Sequence, residues 1–153
     1  MFKKLIIPLF LFLLSPAIVF GAENVTFSQS AKNSLSGMRT LTITYETAAD
    51  GSLTTSSRIS TDKYYGFILK IKHIPGSTAV STGVADITLK DDTSTDVFGG
   101  ALENVVTTDT KEIYSLIDGT PANYPIPIPT TLQLDIASNS GISATGTLII
   151  TLL

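Results

Sequence analysis

The chain has 153 residues, and its 10 Lys/Arg against 13 Asp/Glu give a formal net charge of −3. Cys is absent, which excludes a disulfide framework, thiolate metal sites and a lipoprotein anchor. An acidic surface repels phosphate backbones, and no Lys/Arg cluster follows Lys4, so nucleic acid is not an expected partner.

Residues 1–21 follow the three-part order of a secretory signal peptide. Lys3 and Lys4 form the positive end, Leu5 to Leu14 the apolar run broken only by Pro8, and Val19-Phe20-Gly21 the cleavage site. Cleavage is expected after Gly21 or Ala22, with Gly21 favoured because Phe20 fits the −3 position poorly. A membrane span needs about 20 apolar residues. This run reaches only Phe20 and contains Pro8, Ser15 and Pro16, so no stable membrane anchor is expected once it is cut. The mature chain, 22–153, has the size of one ordinary domain. It keeps eight Lys/Arg and thirteen Asp/Glu, a formal charge near −5. Its expected location is periplasmic, extracellular or on the cell surface. Asn24-Val25-Thr26 is a glycosylation sequon, relevant only in a glycosylating host.

The mature part is rich in Thr (22) and Ser (15) and has no Trp. Thr is β-branched and suits the solvated face of a sheet. Leu41, Ile43 and Tyr45 alternate with Thr40, Thr42, Thr44 and Glu46, the period of a half-buried strand. Phe67, Leu69 and Ile71 alternate with Lys70 and Lys72, although Ile68 breaks the pattern. Ile87 and Leu89 alternate with Asp86, Thr88 and Lys90, and Leu132, Leu134 and Ile136 with Gln133 and Asp135. Asp50-Gly51, Pro75-Gly76, Asp118-Gly119 and Asn139-Ser140-Gly141 mark turns. No window of eleven residues holds a helical period, and Ala101 to Val106 gives at most one short turn of helix. Seven or eight strands at this spacing predict an all-β fold, a single antiparallel β-sandwich of jelly-roll or immunoglobulin-like kind. Its inner face is expected to hold Leu41, Ile43, Leu69, Ile71, Leu89, Leu134 and Leu148.

Pro125, Pro127 and Pro129 remove three backbone donors, so Asn123 to Pro129 cannot be a central strand. It is expected to run as an extended crossover or edge, with Ile126 and Ile128 on one side as a connector or a docking ridge. The last strand, Thr147 to Leu153, carries Leu148, Ile150 and Leu152 on one face and Ile149 and Leu153 on the other. It should therefore be central or covered by a partner. Ile126, Ile128, Ile149 and Leu153 are the candidate interface residues.

Little in the sequence suggests catalysis. His73 is the only histidine, and no G-x-S-x-G elbow accompanies it; a hydrogen-bonded structural role is expected. No cofactor is expected. Asp91, Asp92 and Asp96 form the one tight acidic cluster and the single candidate for Ca²⁺, but they lack the EF-hand spacing. Aspartates bond nearby backbone N–H groups readily, so a hairpin turn is the stronger reading. A glycosidase carboxylate pair is disfavoured by the lack of Trp and the few aromatics to stack on sugar rings.

Ala85-Asp86-Ile87-Thr88-Leu89-Lys90, the turn Asp91 to Thr95, Asp96-Val97-Phe98-Gly99-Gly100 and the closing Gly146-Thr147-Leu148-Ile149-Ile150 together resemble a family of small β-rich virion proteins of tailed bacteriophages and prophages. There a "DITL" strand leads through an acidic turn to an aspartate, an aliphatic pair and Gly-Gly, and a "GT-aliphatic" strand ends the chain. A proline-rich crossing before the last two strands also recurs in that family. The resemblance covers about residues 84–153. It implies a non-enzymatic structural subunit (decoration, head–tail or tail component) working as a homo-oligomer or within a larger shell. The signal peptide departs from that pattern, because virion proteins rarely need export. It points instead to a host-exported binding module or a surface-filament or adhesin subunit.

Overall fold

The computed structural model describes residues 23–31, 37–48, 51, 53, 58–78, 84–106, 108–114, 125–137 and 143–153, with backbone only at 84, 106 and 125–129. The signal segment, the turns at Asp118-Gly119 and Asn139-Ser140-Gly141, and the side chains of Ile126 and Ile128 lie outside the described residues. Among the described residues there are nine strands and no helix. They are β1 (Asn24–Gln29), β2 (Arg39–Glu46), β3 (Tyr64–Pro75), β4 (Val84–Lys90), β5 (Val105–Val106), β6 (Lys111–Tyr114), β7 (Pro125–Thr130), β8 (Gln133–Ala137) and β9 (Thr145–Leu152).

All pairings are antiparallel. One sheet runs β1-β2-β9-β3-β6, with β7 also on β3, and a smaller one runs β5-β4-β8. Buried side chains of both sheets belong to one core: Leu41, Ile43, Ile71, Leu148, Ile150 and Leu152 from the first, Ile87, Leu89 and Leu134 from the second. As its two-faced apolar sequence requires, β9 is central, paired to β2 and β3. Among the described residues β7 pairs only with β3 and is an edge, in keeping with its prolines.

β3 departs from simple alternation. Its register against β9 shifts between Ile68 and Lys70, so Leu69 is the extra residue of a bulge. A bulge reverses the inward–outward parity of the residues beyond it. Tyr64 and Ile68 point inward before it and Ile71 and His73 after it, all buried, whereas Phe67 is exposed and Leu69 only half-buried. The expected single face of Phe67, Leu69, Ile71 and His73 is thus corrected, and Ile68 takes the core position given to Leu69. The register also breaks between Tyr64 and Gly66 on the β7 side. There Gly66 adopts φ +132, and a Cβ would stand 2.6 Å from the Leu153 carbonyl oxygen. Only glycine fits that backbone.

The segment after β4 is neither a strand nor a helical turn. Residues 97–104 run through successive turns into β5. They nevertheless insert Val97, Phe98 and Leu102 into the core. The short elements β5 and β6 lie outside the strands expected from alternation, as does β1.

Burial sets a quantitative contrast. Leu134 is fully buried, so Leu134→Ala should cost about 2–5 kcal/mol. Leu69→Ala at the half-buried bulge should cost less than about half as much. Urea unfolding of the two variants side by side checks the difference.

Candidate association surface and its supports

The end of the large sheet where β3, β9 and the start of β2 meet carries an exposed apolar row. Phe67 and Leu153 exchange backbone bonds, with Phe67 N donating to Leu153 O and Leu153 N to Phe67 O, each at 3.0 Å. Arg39 lies opposite Leu152, which sets Met38 beside Leu153. Inward and outward side chains alternate along each strand, so Met38, Leu153 and Phe67 share the outer face. They are 39%, 52% and 54% exposed, and Tyr65, two residues along, is 50% exposed. Arg39 fastens this end: its Nη2 donates to the Tyr65 carbonyl at 3.0 Å, and its guanidinium carbon sits 4.3 Å from the Tyr65 ring centroid. Ile149, by contrast, is half-buried in the middle of β9.

The terminal leucines are not equivalent. Leu152 is fully buried in a central strand, so only Leu153 offers side-chain surface to a partner. β9 is paired on both sides, so of the two expected arrangements, central or covered by a partner, it takes the central one.

Beside the row, Lys70 and Lys72 of β3 grip Glu112 of β6 at 3.0 and 2.9 Å. Tyr114 Oη donates to the same carboxylate at 3.0 Å. These bonds, led by Lys72, hold the Glu112 carboxyl down at about 2. The Glu112 bond also raises the Lys70 ammonium above its ordinary value.

The acidic cluster turns inward on its own backbone. Asp91 Oδ1 accepts from Thr93 N, Thr93 Oγ1 and Thr95 N at 2.9, 2.7 and 2.9 Å. Burial opposes its ionisation, yet these bonds hold its carboxyl below the ordinary range. Asp96 Oδ1 accepts from Leu89 N and Phe98 N at 3.2 and 3.0 Å, and Oδ2 from Gly100 N at 2.8 Å. Asp96 therefore shapes the Val97–Gly100 return that delivers Phe98 to the core. Asp92 is exposed. Among the described residues no group of three His, Cys, Asp or Glu could hold a metal ion. Hairpin closure accounts for the positions of Asp91 and Asp96.

The second sheet carries an open groove of about 430 Å³ lined by Arg58, Asp86, Lys90, Glu103 and Asp135 among others. Asp135 draws in both cations, Arg58 at 2.6 Å and Lys90 at 2.7 Å.

His73 is a structural residue, though not at a strand end. It is fully buried, and its Nε2 lies 2.8 Å from Tyr45 Oη. The rings are parallel within 8°, their centroids 6.2 Å apart. Burial, then the charge of Lys111 opposite it, pushes the His73 imidazole down to about 4. Burial also raises the Tyr45 phenol. Tyr45 reaches β3 by lying over β9 at Gly146, its register partner, where any Cβ would collide with the Tyr45 ring. His73 Nδ1 is buried with no hydrogen-bond partner. Residue spacing could not announce this bond, which joins positions 28 apart on strands that are not neighbours.

No family model, curated protein or solved structure matches the chain.

The buried imidazole makes stability depend on pH. Unfolded His73 titrates near 6.5 and folded His73 near 4, so between those values the unfolded state binds the extra proton. Stability should be insensitive to this group above pH 6.5 and fall by about 2–4 kcal/mol as pH drops to 4. Urea midpoints across that range check this, and in His73→Gln the decline over pH 6.5–4.5 should largely vanish. Asp96→Ala leaves three backbone donors without their acceptor, and should lower stability by about 1–3 kcal/mol at neutral pH.

Proposed function

We propose that the protein is a non-enzymatic structural subunit that works by associating with copies of itself or with a larger shell. The reading that fits best is an accessory component of a phage-like particle: decoration, head–tail or tail. On this reading residues 1–21 are a cleavable signal peptide, and the two sheets pack as a β-sandwich of jelly-roll or immunoglobulin-like type.

The observation that carries the proposal is the exposed row of Met38, Leu153 and Phe67, with Tyr65 held beside it by Arg39. Large exposed apolar side chains gathered at one end of a sheet, Met38, Leu153 and Phe67 on neighbouring strands with Tyr65 nearby, are of the kind that marks a protein contact. Arg39 and Tyr65 add the residue types over-represented at such contacts. Leu153 belongs to the expected interface set. Ile126 and Ile128, on the adjoining edge strand β7, stay in that set as part of the proposal.

The second reading, an exported host binding module or filament subunit, is favoured by the export-type segment from Lys3 to Gly21. Finding the chain in purified particles supports the first reading, and finding it only in medium or envelope fractions supports the second. In either fraction intact mass should show an N-terminus at Ala22 or Glu23, and retention of Met1 would remove the signal-peptide assignment. Phe67→Ser with Leu153→Ser should reduce association at least about tenfold, the effect of losing two anchoring contacts, while leaving the unfolding midpoint nearly unchanged. A double variant that associates like the wild type would sink the role given to the row.

A further inference from the structure

We propose that β1 is a self-pairing edge, at which two copies of this chain join antiparallel, two-fold symmetrically about Phe27, into one continuous sheet. This names a partner and a surface for the association reading, on which it rests.

Exposed sheet edges invite pairing, and proteins blunt them by shortness, proline, charge or cover. β7 has Pro125, Pro127 and Pro129. β6 is four residues long and carries Lys111 and Glu112. β5 has two residues. β8 is covered by residues 58–60: Leu134 N donates to Arg58 O and Ser60 N to Leu132 O, each at 2.8 Å, and Ile59 bridges to Gln133. Among the described residues β1 has none of these devices. It is six residues long, Asn-Val-Thr-Phe-Ser-Gln, with neither proline nor charge. Among the described residues it pairs on one side only.

The register shows which groups the free side presents. Ser30 N donates to Thr40 O, so the bonded positions facing β2 are Ser30, Ser28, Thr26 and Asn24. In an antiparallel ladder the alternate residues point their N–H and C=O the other way. Val25, Phe27 and Gln29 therefore aim three donors and three acceptors away from the sheet.

A second β1 placed antiparallel about Phe27 satisfies all of them. Val25 then faces Gln29 of the second copy, and Phe27 faces its own equivalent. The contact is isologous and closes at two copies. Val25 and Phe27 are only partly buried against the core, and Phe27 already packs on Tyr64 with centroids 6.4 Å apart. The second copy's Phe27 would cover the side left open. No like charges meet, although the protein carries net charge −3: Glu23, next to the strand, falls opposite Ala31 of the second copy. A six-residue edge contact is smaller than the roughly 1,000 Å² of a stable interface, so the pairing should be reversible on dilution.

The test uses protein purified from cells expressing the full-length gene. Sedimentation velocity over a concentration series should show monomer passing to dimer. Hydrogen exchange at high concentration should protect the amides of Val25, Phe27 and Gln29, with protection dropping at least about tenfold on dilution, while Leu148 and Ile150 stay unchanged. Gln29→Pro removes only an outward donor, and Val25→Lys places a charge at the pairing face. Both should remain monomeric with Leu148 and Ile150 still protected. A wild type that stays monomeric, or a dimer in which Val25, Phe27 and Gln29 exchange freely, overturns the proposal even if a variant fails to fold. Folded variants that dimerise normally overturn it too. Variants that still enter particles or filaments would leave the structural-subunit reading standing and remove only β1; loss of all association in the wild type would remove both.

Discussion

The large sheet depends on one strand being held from both sides. β9 supplies Leu148, Ile150 and Leu152 to the core and the backbone ladders to both β2 and β3. The Tyr45–His73 bond strengthens that arrangement by crossing over β9, joining the two strands that flank it. Gly146 permits the crossing, because a side chain there would occupy the space of the tyrosine ring. One small residue on the middle strand thus allows a polar contact between strands that never touch through their backbones. In a site this buried, a neutral imidazole bonded to a phenol is far less costly than an ion would be.

Much of the fold is legible in the sequence, for reasons specific to each strand. β2 and β4 alternate cleanly, and Leu41, Ile43, Tyr45, Ala85, Ile87 and Leu89 are buried; in β8 and β9 Leu134, Leu148, Ile150 and Leu152 are buried, whereas Ile136 and Ile149 are half-buried. The prolines of β7 mark an edge because a strand lacking donors cannot be paired on both sides. β3 misleads because a bulge changes parity without changing composition; Ile68, which interrupts the alternation, is the trace it leaves. β1 escapes notice although Val25 and Phe27 alternate with Asn24, Thr26 and Ser28, since two apolar residues at a strand's edge make a weak signal. β6 has a single inward apolar residue, Ile113, and is hidden for the same reason.

The candidate surface is less legible than the fold. Leu153 stands out from its place on the second face of an apolar strand, and it does lie exposed. Alternation puts Phe67 in the core, and only the bulge turns it outward. Met38 carries no signal, because its meaning comes from lying beside Leu153, more than a hundred positions further along the chain. The acidic turn is readable as a turn, but the work of Asp96 on three amides reflects local geometry that residue type alone does not specify.

The strand order also governs when the structure can form. β2 and β3 follow one another in the chain but do not pair; β9 separates them, and Thr44 meets Thr147. Local hairpins such as β1-β2 can form early, but the large sheet has no middle until the chain has run through β4 to β8 and returned. Contacts of such long sequence separation make folding slow compared with a sheet of successive hairpins. During that interval the apolar faces of β2 and β3 lack their shared neighbour. Arrival of β9 then makes the large sheet continuous in a single late step.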